Sequence, residues 1–213
     1  MKTSRVEAFS DGVLAIIITI MVLELRVPEG HDLSALLDMT GTGLLTYLLS
    51  FVYIGIYWNT HHHMFHLVER VSGAVLWANL ALLFCLSLFP FTTAWVDESG
   101  FAQTPVVLYG VNLLGSALAY VVLQNLVIKQ QGPDSPLRRA VGRDRKGKAS
   151  LVLDVAGILS ALLIPGQAGV WVALGCFVAV VVMWVVPDPR IDRIVREHTD
   201  RDTSTDAAAR TAL

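Results

Sequence analysis

VAGILSALLIPGQAGVWVALGCFVAVVVMWVVP, residues 155–187, contains no Asp, Glu, Lys or Arg. A single helix over that stretch, rising about 1.5 Å per residue, would be about 50 Å long, well beyond the roughly 30 Å hydrocarbon core of a bilayer. The stretch has to break. Pro165-Gly166-Gln167-Ala168-Gly169 supplies the break, because proline cannot continue the helical ladder and glycine favours turns. Two spans result, near 148–164 and 168–187, and their separation sets the parity of every span before them.

Working outward, uncharged runs at 39–68, 71–96 and 99–128 each accommodate a membrane helix of about 20 residues, giving spans near 42–67, 72–96 and 104–128. The N-terminal charge-free stretch, Gly12 to Leu23, is only about 18 Å of helix. A secretory signal peptide fits poorly, since Glu7 and Asp11 interrupt its basic region and no small-x-small site follows in Leu25-Arg26-Val27-Pro28. The better reading is a retained first helix over 6–27 that takes Ser10 and Asp11 below the membrane surface. The expectation is an all-α membrane protein with six transmembrane helices in residues 1–187. A cytoplasmic tail, 188–213, lacks apolar periodicity and is expected to be disordered.

Composition agrees. Hydrophobic residues make up 54% and charged residues 16% of 213, with a mean hydropathy of +0.58, against about 25% charge in an ordinary soluble domain. Six spans consume about 120 residues, leaving too few for a catalytic domain, so no enzyme is expected. Cys85 and Cys176 lie in long apolar stretches and read as packing residues.

Orientation follows from the basic residues. Lys2 and Arg5, Arg70, the seven between Lys129 and Lys148, and Arg190, Arg193, Arg196, Arg201 and Arg210 fall on one side of a six-span chain; of the 16, Arg26 alone falls on the other. The positive-inside rule then places both termini in the cytoplasm. Trp77 and Trp184 lie near inner ends and Trp95 and Trp171 near outer ends, as an aromatic belt would. The even balance of charge, net −2, points to no nucleic-acid partner.

Three spans bring polar groups to the same inner layer: Arg5, Phe9, Ser10 and Asp11 on the first, Trp58-Asn59-Thr60-His61-His62-His63 on the second, and Trp77-Ala78-Asn79 on the third. A carboxylate in hydrocarbon is costly and seeks protein or water; Asp11 has Arg5, His61 or His62, and Asn79 at its depth. Two readings stay open, a proton relay through Asp11 and the histidines and a satisfied hydrogen-bonded cluster that fixes helix packing. His62 and His66 share a helix face and could ligate a metal or haem. No other span carries His and the second span has no carboxylate to complete the set, so no metal or cofactor is expected. Asp154, about one turn inside its span, is expected to reach toward Lys148 or pair within the bundle.

Arg5-Val-Glu-Ala-Phe9-Ser10-Asp11-Gly12, followed by the apolar run Val13 to Leu23, resembles the RxxxFSD first helix of the transmembrane protein 175 family of potassium channels. Trp58-Asn-Thr-His61-His62, Trp77-Ala-Asn79 and Leu88-Phe-Pro90-Phe91 extend the resemblance over roughly the first 95 residues. It implies a homotetramer in a bacterial plasma membrane, with the first helix of each subunit lining a central pore. Ile16, Ile20 and Leu23 would then form successive apolar rings, with Thr19 beneath them in the packing. Arg5, Phe9, Ser10 and Asp11 would join His61 or His62, Trp77 and Asn79 in a network holding that helix. The absence of a second RxxxFSD separates the chain from the two-repeat form.

Residues 16, 20 and 23 do share one helix face, although in an all-apolar helix that spacing suits lipid-facing or core residues equally. No segment resembles TVGYG, so carbonyl coordination of an ion is not expected. The resulting expectation is a potassium-selective, leak-type cation channel with K+ as permeant ion and the bilayer and its own copies as partners. A proton-coupled transporter or proton leak using Asp11 and the histidines is the alternative.

Overall fold

The computed structural model describes residues 3–68, 70–132, 135–141 and 144–186. They form α1 (Thr3–Leu23), α2 (Leu33–His66), α3 (Gly73–Ser87), α4 (Phe89–Glu98), α5 (Gln103–Gln131), α6 (Pro136–Val141), α7 (Arg145–Leu163) and α8 (Gln167–Val185). The tail expected over 188–213 lies outside the described residues. α1, α2, the α3–α4 pair, α5 and α8 are long and apolar enough to cross a membrane. α7 matches α8 at 19 residues but carries Arg145, Lys146, Lys148 and Asp154.

Local chemistry sets the helix ends. α1 stops at Leu23 and not at the expected Val27, because Thr40 Oγ1 donates to Arg26 O at 2.7 Å and Arg26 Nη2 reaches Glu98 Oε1 at 3.2 Å. These contacts draw the chain off the helix axis ahead of Pro28, which disfavours helical backbone before it. α2 starts at Leu33, well before the expected residue 42, where the Asp32 side chain caps it by accepting from Ala35 N at 2.9 Å. The span expected to run unbroken over 72–96 bends at Leu88. Pro90 has no N–H and its ring displaces the Leu86 carbonyl, and Leu88 N turns to Cys85 O at 3.2 Å. The basic loop contains the short α6, which hydrophobic periodicity did not suggest. The run 155–187 is interrupted between Leu163 and Gln167, with Gly166 at φ 72°, a left-handed conformation glycine adopts without a Cβ penalty.

α7 and α8 form an antiparallel hairpin over their full length. Ser160 Oγ lies 3.3 Å from Gly169 O near the turn, and Trp184 Nε1 donates to Ser150 Oγ at 2.8 Å near the far end. Small residues let the backbones approach. A Cβ at Gly157 of α7 or at Gly110 of α5 would lie 2.6 Å from the ring of Phe177, a fully buried residue of α8. Tyr53 of α2 donates to Phe177 O at 2.7 Å, so α2, α5, α7 and α8 converge on that residue. Ser50 of α2 joins Thr93 of α4 at 2.7 Å and Tyr109 of α5 at 3.0 Å. α1 lies on the other flank, against α2, α3 and α4.

Asp154 departs from expectation. With α7 starting at Arg145 the residue lies about 13 Å along the helix, too deep to reach Lys148 or the surface. It is 2% exposed, and its Oδ1 accepts no hydrogen bond among the described residues.

Candidate functional site

α1 has two unlike faces. Val6, Ser10, Leu14, Ile17 and Met21 are buried against α2–α4, at spacings of three and four that make a single stripe. The rest of the helix surface is largely uncovered, and the row Ile16, Ile20, Leu23 lies on it, roughly 110° around the axis from the stripe: Ile16 is 58%, Ile20 41% and Leu23 80% exposed, against 3% for Ile17. Thr19, expected beneath these residues, is exposed beside them, its hydroxyl satisfied within the helix by Ile16 O at 2.8 Å. Thr19 lies about 100° around the axis from Ile20, on the side away from the buried stripe, whereas Met21, one residue after Ile20, falls in that stripe.

The buried stripe is fastened by a polar link. Asn79 Nδ2 of α3 donates to Ser10 Oγ of α1 at 3.0 Å, and Asn79 Oδ1 lies 2.8 Å from His61 Nε2 of α2. With the Asn79 amide in this orientation its oxygen only accepts, so the contact corresponds to the Nε2–H form of His61. All three residues are buried, and the His61 ring packs on Phe65 at 4.4 Å between centroids. One asparagine thus ties three helices together and sets how α1 is rotated about its axis. Asp11, one residue beyond Ser10, turns away from this link. Its Oδ1 accepts from Trp58 Nε1 at 3.0 Å at the exposed margin.

The chain therefore brings Ser10, His61 and Asn79 together and leaves Arg5, Phe9 and Trp77 apart. Arg5 is exposed and has no hydrogen-bond or ion-pair partner among the described residues; Phe9 and Trp77 are also exposed. Arg5 and Phe9 each precede an inward residue, Val6 and Ser10, by one step, and Trp77 lies two steps before Asn79, so all three point elsewhere. His62 stacks on Trp58, with centroids 6.0 Å apart, and meets His66 edge-on at 4.7 Å. Trp58 is the residue that sequence reasoning missed as Asp11's partner; its signal was its position three residues before His61, nearly one helical turn.

A helical bundle apolar enough to lie in a bilayer, with one helix anchored from behind by buried polar residues and bare in front, defines a multispanning membrane protein that presents that face outside the subunit. Residues 5–90 match the family model described as endosomal/lysosomal potassium channel TMEM175. A potassium channel of Chryseobacterium sp. (strain P1-3) is 46% identical over 198 residues, taking in 93% of this chain and 100% of that one. The crystal structure of a lysosomal potassium-selective channel TMEM175 homolog from Chamaesiphon minutus superposes with a TM-score of 0.71 at 28% identity, over 86% of this chain and 96% of the other. The human endosomal/lysosomal proton channel TMEM175 is 34% identical over 116 residues, or 49% of this chain and 23% of that longer protein. The chain belongs to the TMEM175 family.

Proposed function

We infer that this protein is the subunit of a potassium channel, not an enzyme, and that the bare apolar face of α1 lines its pore. The uncovered row Ile16, Ile20, Leu23 on a helix fastened along a separate stripe carries the reading, supported by similarity over 93% of this chain to a protein named a potassium channel. One subunit encloses no path with this face. Copies arranged around an axis do, and closed cyclic symmetry is the usual arrangement; four copies is the number that the family resemblance implies.

Six spans are the topology that fits. α8 is apolar enough to cross, and α7 lies antiparallel along its whole length, so a crossing α8 carries α7 with it. Both termini then face the cytoplasm of a bacterial plasma membrane by the distribution of Lys and Arg. Residues 1–187 make up the channel domain. In the assembled pore Ile16, Ile20 and Leu23 form rings that offer an ion no ligand, and such a constriction gates by admitting or excluding water. An ion passes there with few or rearranged waters. Potassium holds its hydration shell less tightly than sodium, so the barrier favours it, and Glu24 just beyond Leu23 adds negative charge that raises the local cation concentration. No cofactor is needed.

Proton permeation is the second reading. It is favoured by the position of Asp11, exposed at the inner end of the same helix beside Trp58 and His62, and by the proton-channel name of the human relative. Purified protein in vesicles loaded with potassium tests both. The expected result is potassium efflux that needs no proton gradient and persists in Asp11→Asn. Efflux strictly coupled to a proton gradient, lost in Asp11→Asn, would replace the channel with a proton-coupled carrier. A reporter fused after Leu213 is expected on the cytoplasmic side; an external reporter refutes the six-span topology.

A further inference from the structure

A second polar feature lies on the flank away from α1. A cavity of about 50 Å³ opens between α2, α5, α7 and α8, lined by Asp154 and Gln124, with Tyr57 and the apolar side chains of Ala117, Val121 and Ile56. One buried polar atom on its lining has no partner among the described residues. Asp154 is 2% exposed with a bare Oδ1, and Gln124, 8% exposed, makes no side-chain hydrogen bond among the described residues. An ionisable group buried in a membrane protein without a partner is costly to keep, and such groups mark ligand or ion paths. Among the described residues the lining contains no Lys or Arg; Asp144 also stands on it at the start of α7, where its Oδ1 is engaged as the helix cap by Gly147 N at 3.0 Å. The nearby Lys146 does not line the cavity; its Nζ donates to Val186 O at 2.6 Å and lies 5.8 Å from the ring centroid of Trp184, at the cavity's margin.

The chemistry of the lining selects a ligand class. The unpartnered Asp154 carboxylate, with no base among the described lining residues, calls for a cation. The Asp154 carboxylate, the Gln124 carbonyl and the Tyr57 hydroxyl offer three acceptors, the number of N–H donors on a primary ammonium. The aromatic and apolar side chains suit an ammonium with a short alkyl chain, whose charge an aromatic face also stabilises. Space limits its size: at roughly 10–15 Å³ per water-sized unit, the cavity holds about three to five non-hydrogen atoms. We propose that the cavity between α2, α5, α7 and α8 is a binding site within each subunit for a small primary alkylammonium ion, with the Asp154 carboxylate as its counter-ion and Gln124 and Tyr57 as further acceptors.

Purified full-length protein, titrated with n-propylammonium chloride against choline chloride at constant ionic strength, tests the proposal through its thermal unfolding midpoint, because a ligand that binds the folded state raises that midpoint saturably. The wild type is expected to show a saturable rise. Asp154→Asn, which keeps the shape and removes the charge, is expected to weaken apparent affinity roughly tenfold or more. Ala117→Leu, which fills the cavity and keeps Asp154, is expected to abolish the rise and carries the test alone if Asp154→Asn does not fold. Tetrapropylammonium, too large to enter, is expected to leave the midpoint unchanged. No saturable rise in the wild type, an equal rise in both variants, or the same rise with potassium chloride would overturn the proposal, the last by showing a site for inorganic cations.

Discussion

Asn79→Leu isolates the link that orients α1. Leucine has the same branched heavy-atom skeleton as asparagine and a larger volume, so the substitution removes the two hydrogen bonds, to Ser10 at 3.0 Å and to His61 at 2.8 Å, without opening a cavity. In a soluble core the two stranded partners would cost about 1–3 kcal/mol each. Between membrane helices such bonds average about 0.6 and reach at most about 1.7 kcal/mol, because the unfolded chain finds substitute partners in the bilayer. The Ser10 hydroxyl also has the carbonyl one turn back within its own helix as an alternative acceptor. The expected loss is therefore about 1–3 kcal/mol, read by equilibrium unfolding in mixed micelles with tryptophan fluorescence. The triple variant Ser10→Ala, His61→Phe, Asn79→Leu strands no polar group and is expected to recover most of that loss. Freed from its link, α1 rotates, so Asn79→Leu is also expected to lower potassium over sodium selectivity with Ile16 untouched. A loss below about 0.5 kcal/mol, or a triple variant no more stable than the single one, would refute the claim that this link fixes α1.

Ile16→Asn places four amides in one ring of the inferred tetramer, and is expected to raise current and bring potassium and sodium permeabilities together in bi-ionic reversal-potential measurements. Ile17→Asn buries an unpaired amide at a 3% exposed position, and is expected instead to cost about 1–3 kcal/mol and reduce folded yield; the opposite pattern would put the wrong face in the pore. Asp32 is held below the ordinary carboxylate range, chiefly by the Ala35 N–H and then by the Ser34 side chain. A group with a depressed folded-state pKa contributes fully above its unfolded value and loses that contribution as pH falls through the folded value. Hydrogen exchange at the Ala35 amide is expected to speed up in that acid window and in Asp32→Ala at neutral pH, while Asp32→Asn retains the cap. At Gly169 an added Cβ would lie 2.5 Å from both Ser160 O and Ile164 O, backbone atoms that cannot rotate aside. Gly169→Ala is expected to destabilise the α7–α8 hairpin by about 1–3 kcal/mol, and an unchanged unfolding midpoint would contradict it.

What could be read directly along the chain is what depends on near neighbours. The apolar runs, the interruption at Pro165-Gly166 and the RxxxFSD stretch are contiguous, and hydropathy, proline geometry and a local motif need no knowledge of the fold. Pro90 carried the same kind of signal for the bend at Leu88 but was hidden inside an otherwise uniform apolar run. What only the tertiary structure decided is direction around each helix axis. A change of one position turns a side chain by about 100°, enough to send Ser10 to Asn79 and Asp11 to Trp58, and to leave Arg5 and Trp77 facing outward. Depth alone, which the sequence supplied, put all of these residues in one layer and could not choose among their pairings. Asp154 shows the same division: its burial depends on where α7 begins and on how α2, α5 and α8 close around it, and neither is encoded in the residues beside it.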